Sequence, residues 1–228
     1  MTQSPNGRVW AAYVNRPSFT ASSDFAEFIR VEDQHGHYGF FTGSNGRQYA
    51  VRPLNPQVGC PEKPYWQTFH ALYDAETGQR VLNHWDCDIE GQHAWNHFTR
   101  SIGAADVFGF SSERYTFAPS AKFYPTDEAI VRAEVKFEGG QPRKVVVEPV
   151  TYHRTAAGER SKLVGRDCGY WASSRPVIDY TGRRFLFDST MSHPEWPAAE
   201  VDGVIKTSCQ TDVYVAEKNS LAEKVAKP

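Results

Sequence analysis

The 228-residue sequence predicts an all-β fold: a single antiparallel β-barrel or sandwich of about ten strands spanning residues 1–228, with a short helix near the N-terminus. Three observations carry this. Apolar and polar residues alternate with period two from Val9 to Val215. Gly, Pro, Asn and Asp interrupt the alternation at hairpin spacing. No Pro- or Ser-rich linker and no repeat of fixed period divides the chain.

The elements follow in order. Over "SSDFAEFIRVED", Asp24 can cap a helix, Glu27 completes a capping box, and Phe25, Phe28 and Ile29 form an apolar stripe. "HYGFFT" and "RQYAVRP" flank the turn "GSNG", and "YWQTFHALYD" and "QRVLNHWDCDI" flank "AETG". A second short helix is expected over "GQHAWNHFTRSI". "AIVRAEVKFE" is the clearest strand: Ala129, Val131, Ala133, Val135 and Phe137 share one face, Arg132, Glu134 and Lys136 the other, which implies one face on a core and one in water. It turns through "GGQP" into "RKVVVEPVTYHR". Later strands are "ERYTFA", "KLVGRDCGYWA", "RRFLFD" and "KTSCQTDVYVAE". Hairpin following hairpin, with few long crossovers, favours a barrel.

Composition narrows the function classes. With 25 basic and 27 acidic residues the formal charge is −2 and neither sign clusters, so the electrostatic footprint of a nucleic-acid partner or a polybasic membrane anchor is missing. No apolar run approaches the ~20 residues of a membrane-spanning helix, and the N-terminus lacks signal-peptide character, which predicts a cytoplasmic protein. Cys60, Cys87, Cys168 and Cys209 form no C-x-x-C pair and are expected as thiols; two disulfides would need an oxidising compartment.

Aromatic residues make up 14% of the chain, and many share a strand face: Tyr38 with Phe40, Phe69 with Tyr73, Tyr115 with Phe117. Closed strands can enclose one small ligand, so these rings, with Asn83, Trp85 and Trp171, are the expected lining of a pocket for a small hydrophobic or aromatic molecule. Solid core packing is the competing reading of the same rings. The hairpins, N-terminal helix and aromatic inner face resemble the calycin group of lipocalin-like barrels. That resemblance is architectural and transfers no residues; it implies a binder, or a cyclase or isomerase.

"LNHWDCDIEGQHAWNHF" (82–98) is the densest polar stretch. As a strand it would place Asn83, Trp85 and Cys87 inward and His84 and Asp86 outward. With His153, an H-x-D pair could instead form the facial triad of an Fe(II) enzyme, cupin-like or 2-oxoglutarate-type, with Arg160 clamping a carboxylate. His93 and His97 lack the Glu of a zinc-protease helix, since Ala94 stands there, and "DCDIEG" lacks the closing Glu of a calcium loop. No nucleophile elbow, phosphate loop or dinucleotide fingerprint occurs, so no cofactor is expected.

What remains is acid–base chemistry by Glu148, Tyr152, His153 and Asp167. Strand alternation sends one of Tyr152 and His153 inward, and Asp167 stands with Arg166 and Tyr170 beside "CGYWA". The leading expectation is a cofactor-independent isomerase, cyclase or dehydratase; a non-catalytic carrier and the Fe(II) enzyme are the alternatives. If the 81–89 register is right, Trp85→Ala should destabilise by about 3–5 kcal/mol and His84→Ala by no more than about 0.5, measured by urea unfolding; the opposite ranking means a flipped strand.

Overall fold

A computed structural model describes residues 2–3, 9–13, 16–21, 26–31, 39–53, 70–83, 93–96, 100–114, 129–153, 174–189, 199–201, 204–206 and 212–218. All eighteen elements among them are strands. Strands β1 (Thr2–Gln3), β2 (Val9–Tyr13), β3 (Arg16–Ala21) and β4 (Phe28–Val31) form a first antiparallel sheet. The second holds β5 (Gly39–Thr42), β6 (Gln48–Pro53), β7 (His70–Asp74) and β8 (Arg80–Leu82), with β10 (Arg100–Ala105) added parallel to β5. In the third, β9 (His93–Asn96), β11 (Val107–Arg114), β12 (Ala129–Glu138) and β13 (Gln141–Tyr152) lie side by side in chain order. The fourth is β14 (Val177–Ile178), β15 (Arg184–Ser189) and β18 (Asp212–Glu217), and β16 (Ala199–Val201) pairs β17 (Val204–Lys206) as a separate hairpin.

These separate sheets correct the expectation of one calycin-like barrel. A barrel requires one ladder to run around the whole set of strands. Here the second, third and fourth sheets are stacked face to face. Phe41, Tyr49, Val51 and Leu72 of the second sheet meet Phe108, Phe110, Ala129, Val131, Ala133 and Val135 of the third in one core. The opposite face of the third sheet offers Val107 and Ile130 to Ile178, Phe185 and Phe187 of the fourth. Edge strands β8, β13 and β18 touch in succession along one side, and towards the other β5 touches β11, which touches β14.

Aromatic packing fixes the first interface. The rings of Phe41 and Tyr49 stack with centroids 5.2 Å apart, Phe41 and Phe108 follow at 5.5 Å, and Phe137 tilts onto Tyr49 at 5.6 Å. Each buried ring contributes roughly 1.5–3 kcal/mol by leaving water, and each ring pair roughly 0.5–1.5 more. Gly43 lets this packing close: a Cβ there would lie 2.7 Å from Tyr49 Cε2 and 2.6 Å from Asn45 Oδ1. Asn45 in turn donates to the Tyr49 hydroxyl and to the Gly140 carbonyl, tying the β5–β6 turn to the β12–β13 turn.

Asp106, between β10 and β11, joins the same two sheets. Its φ of 62° lies in the left-handed region, which a short polar side chain tolerates better than a branched one. Its amide donates to Thr42 O, its carbonyl accepts from Val135 N, and its carboxylate accepts from Ser44 N. One residue thereby bonds to β5, to the turn after it and to β12.

Two hairpins use a common sequence device. Asp74-Ala-Glu-Thr-Gly78 and Asp179-Tyr-Thr-Gly182 each begin with an Asp and end in a glycine at φ 70°. Asp74 Oδ1 accepts the amides of Glu76 and Thr77; Asp179 Oδ1 accepts those of Thr181, Arg183 and Arg184.

Three further expectations change. The expected N-terminal helix is strand β4 over its described part, because Phe28–Val31 pairs with Ala21–Ser18 of β3 and a ladder outbids a weak local helix stripe. The helix expected over 91–102 is strand at His93–Asn96 and from Arg100 onward, the former paired with β11. The polar face of β12 is not left to water: Ile130 is fully buried and Arg132 mostly so, under the fourth sheet. Phe108→Ala should cost about 3–5 kcal/mol in urea unfolding, and Lys136→Ala, at an exposed position of β12, no more than about 0.5.

Candidate functional site

Three of the sequence-proposed residues, Glu148, Tyr152 and His153, lie on or directly after β13, in different surroundings. Glu148 accepts a hydrogen bond from Arg132 Nη1 at 3.0 Å and pairs closely with Lys218 Nζ. Arg132 also donates through Nε to the Gly182 carbonyl at 3.1 Å. Glu148 therefore sits in an ionic clasp that holds the third sheet to the fourth, the position of a fastening group. Tyr152, at 40% exposure, faces outward, and His153 is 2% exposed.

His153 lies in a buried polar seam between β11, β13 and β15. Its Nε2 donates to the Ser112 carbonyl at 2.9 Å, since a carbonyl can only accept. Ser189 Oγ donates to the His153 carbonyl, and Ser174 Oγ to the Asp188 carbonyl. Ser111, Ser112, Ser174 and Ser189 are all fully buried here. The bonded Ser174 and Ser189 hydroxyls meet backbone oxygens instead of the imidazole, so these bonds do not make a nucleophile–base pair. With Nε2 committed to a carbonyl, that nitrogen is not offered to a metal. Among the described residues no group of three or more His, Cys, Asp and Glu could hold one.

Of the proposed pocket lining, Phe40 and Tyr73 are completely buried side chains on the face of the second sheet opposite the aromatic core. Asn83 is exposed, which corrects its inward assignment: β8 ends at Leu82, and alternation does not continue past a strand's end. Tyr38, Phe69, His84, Trp85, Asp86, Tyr115, Phe117, Asp167 and Trp171 lie outside the described residues, as do Arg160, Arg166, Tyr170, His97 and the four cysteines.

Sequence reasoning missed the buried charges of the second sheet. Arg52 is 1% exposed with its guanidinium 5.4 Å over the Tyr73 ring, a cation–π arrangement. His70 is fully buried next to it in the ladder, paired with Pro53. Asp74, also buried, pairs with Arg47 while capping its turn. The one available signal was "HALYD", buried at all five positions, whose pattern does not alternate cleanly as a half-wet strand would.

Electrostatics marks two carboxylates. The hydrogen bond from Lys136 holds Glu134 below its ordinary value, against partial burial, with Arg132 adding to the effect. At Asp179 burial pushes upward, but hydrogen bonds from the Thr181 hydroxyl and from the Arg184, Arg183 and Thr181 amides outweigh it and leave the carboxyl lowered. Both groups fasten structure.

No family model and no curated protein matches the chain. Among solved structures the chain is similar to the β-propeller domain of Cps50 (Swd1) from Myceliophteria thermophila, at 9% identity and a TM-score of 0.43 over 83% of this chain and 47% of that one. It is also similar to a eukaryotic initiation factor, at 12% identity and a TM-score of 0.29 over 95% of this chain and 52% of that one. The chain thus spans about half the length of these structures. The described sheets are separate and do not close into one ladder, which is what overturns the calycin resemblance, and with the barrel goes the reason for expecting isomerase or lyase chemistry inside it.

The turn at Asp179 gives a pH test. A carboxyl lowered from 3.8 by folding adds stability that is complete above that value and is lost as pH falls through the lowered one. Asp179→Asn should therefore flatten the acid limb of a thermal-unfolding series while changing neutral-pH stability by only about 1 kcal/mol, as for a lost cap. An unchanged acid limb would remove Asp179 from the account.

Proposed function

We propose that the chain is a non-enzymatic binding scaffold, a propeller-like succession of sheets that presents turns and an outer sheet face to a macromolecular partner. The observation that carries this reading is the use made of the polar groups on β13 and around it. Glu148, Arg132 and Lys218 clasp two sheets, and His153 and two serines seal a seam. Groups engaged in fastening layers are poor candidates for proton transfer to a substrate, which needs a reachable atom. The propeller-like description rests on topology: successive, largely antiparallel sheets, of which the second, third and fourth are stacked face to face. The described rings of the aromatic core are closed on one another, so they support packing more than ligand enclosure.

Exposed apolar side chains support a contact role. Tyr180, at the tip of the β14–β15 turn, is 75% exposed, which puts an amphipathic ring within a partner's reach. A photo-crosslinking residue in place of Tyr180 should give a discrete adduct with a macromolecule, whereas untargeted screening should find no metabolite consumed by the protein. Consumption of a metabolite that falls about 100-fold in Tyr152→Phe or Glu148→Gln would overturn the scaffold in favour of an acid–base enzyme.

A further inference from the structure

The outward face of the fourth sheet, which no described sheet covers, carries an exposed apolar row between charged ones. Alternation on β15 turns Phe185, Phe187 and Ser189 inward and Arg184, Leu186 and Asp188 outward. The ladder aligns Val177, Leu186 and Val215 in one row across all three strands, with exposures of 56, 45 and 68%. Val213, also 68% exposed, stands beside Asp188 in the next row, and Arg184 pairs with Glu217 in the row on the other side. The inner face of this same sheet is covered by the third sheet, which is itself covered on both faces.

We infer that this face associates with the same face of a second copy of the chain, strands antiparallel across the contact. This rests on the layered reading above, with the next layer supplied by another molecule. Charge selects both the occupant and the direction. Consider a two-fold axis lying between the faces, perpendicular to the strands and over Leu186. The apolar row then falls on itself. Residues two apart on a strand are separated by ~6.6–6.8 Å, so Arg184 of each copy falls over Asp188 of the other. A two-fold axis along the strands would instead set Arg184 on Arg184 and Asp188 on Asp188, which like charges oppose. The Arg184–Glu217 contact within one molecule is 3.4 Å between half-exposed groups, so it yields easily to a partner. Three strands give a contact well under the ~800 Å² per side of a standard interface. The association is correspondingly weak, with a Kd on the order of 100 µM.

Sedimentation equilibrium tests this on the full chain between about 10 µM and about 1 mM. Wild-type mass should climb toward that of a dimer. Leu186→Asp and Val215→Asp, both at exposed positions, should each weaken association at least about tenfold while thermal unfolding shows them folded. Arg184→Asp alone and Asp188→Arg alone should stay monomeric, and an equimolar mixture of the two should dimerise, because each supplies the charges the other lacks. A wild type that remains monomeric throughout overturns the inference, as does association indifferent to Leu186→Asp or a charge-reversed mixture that does not pair. The readout is mass alone, so failure here leaves the adduct expected at Tyr180 standing, and failure there leaves this dimer standing.

Discussion

The contact between the second and third sheets is the constraint on which the remainder of the structure depends. Both faces are apolar, and neither could remain in water without the other. The Phe41, Tyr49 and Phe108 rings set the spacing between them. Gly43 permits that spacing, because any side chain there would strike Tyr49, and Asp106 fixes the lateral position by bonding to β5, the turn after it and β12. Once the third sheet is placed, its far face presents Ile130 and Arg132, and these determine where the fourth sheet can rest. The order of dependence runs along the chain.

The stack also explains why so many polar groups are buried. Layers separated by roughly 10 Å bring strand ends and turns against one another at their margins. Backbone oxygens at such margins need donors, since an orphaned buried carbonyl costs about 1–3 kcal/mol. His153, Ser189 and Ser174 supply three of them, and Arg132 supplies another at Gly182. A buried histidine among serines has the composition of a catalytic group; here its imidazole bonds within the third sheet and its carbonyl accepts from Ser189 of the fourth.

What the sequence disclosed and what it withheld divide along the range of the interactions. Strand β12 was readable because Val131 to Glu138 alternate without a break, and the β5–β6 and β7–β8 hairpins were readable from their turn residues. These are local signals. Whether hairpins close into one ladder or stack as separate sheets depends on which faces meet across tens of residues, and period-two alternation is the same in both cases. The clue to stacking was Ile130, an apolar residue on the face of β12 assigned to water, and it is too slight to weigh alone. The helix expected at Phe28 failed for a related reason: apolar residues at helical spacing also suit a short strand, and β3 was there to pair with it. Asp74 and Arg52 stayed hidden because a charge in a strand reads as solvent-facing until its neighbours are known, and His153 was separable from Tyr152 only as one of an alternating pair.

The Asn45–Gly46 turn has a consequence for how the protein ages. Asparagine followed by glycine is the dipeptide most prone to lose its side-chain amide, by attack of the glycine nitrogen on the asparagine side-chain carbon. Here that nitrogen donates to Gly43 O at 2.8 Å, while the Asn45 side chain is held at both ends, by Arg47 N and by Tyr49 and Gly140. Deamidation thus waits on the turn springing open, and its rate becomes a slow chemical clock of that opening. Each event would also loosen the molecule that suffers it. The carboxylate that replaces the amide has no hydrogens to offer the Gly140 carbonyl, so the first molecules to be damaged lose a tie between their two central sheets.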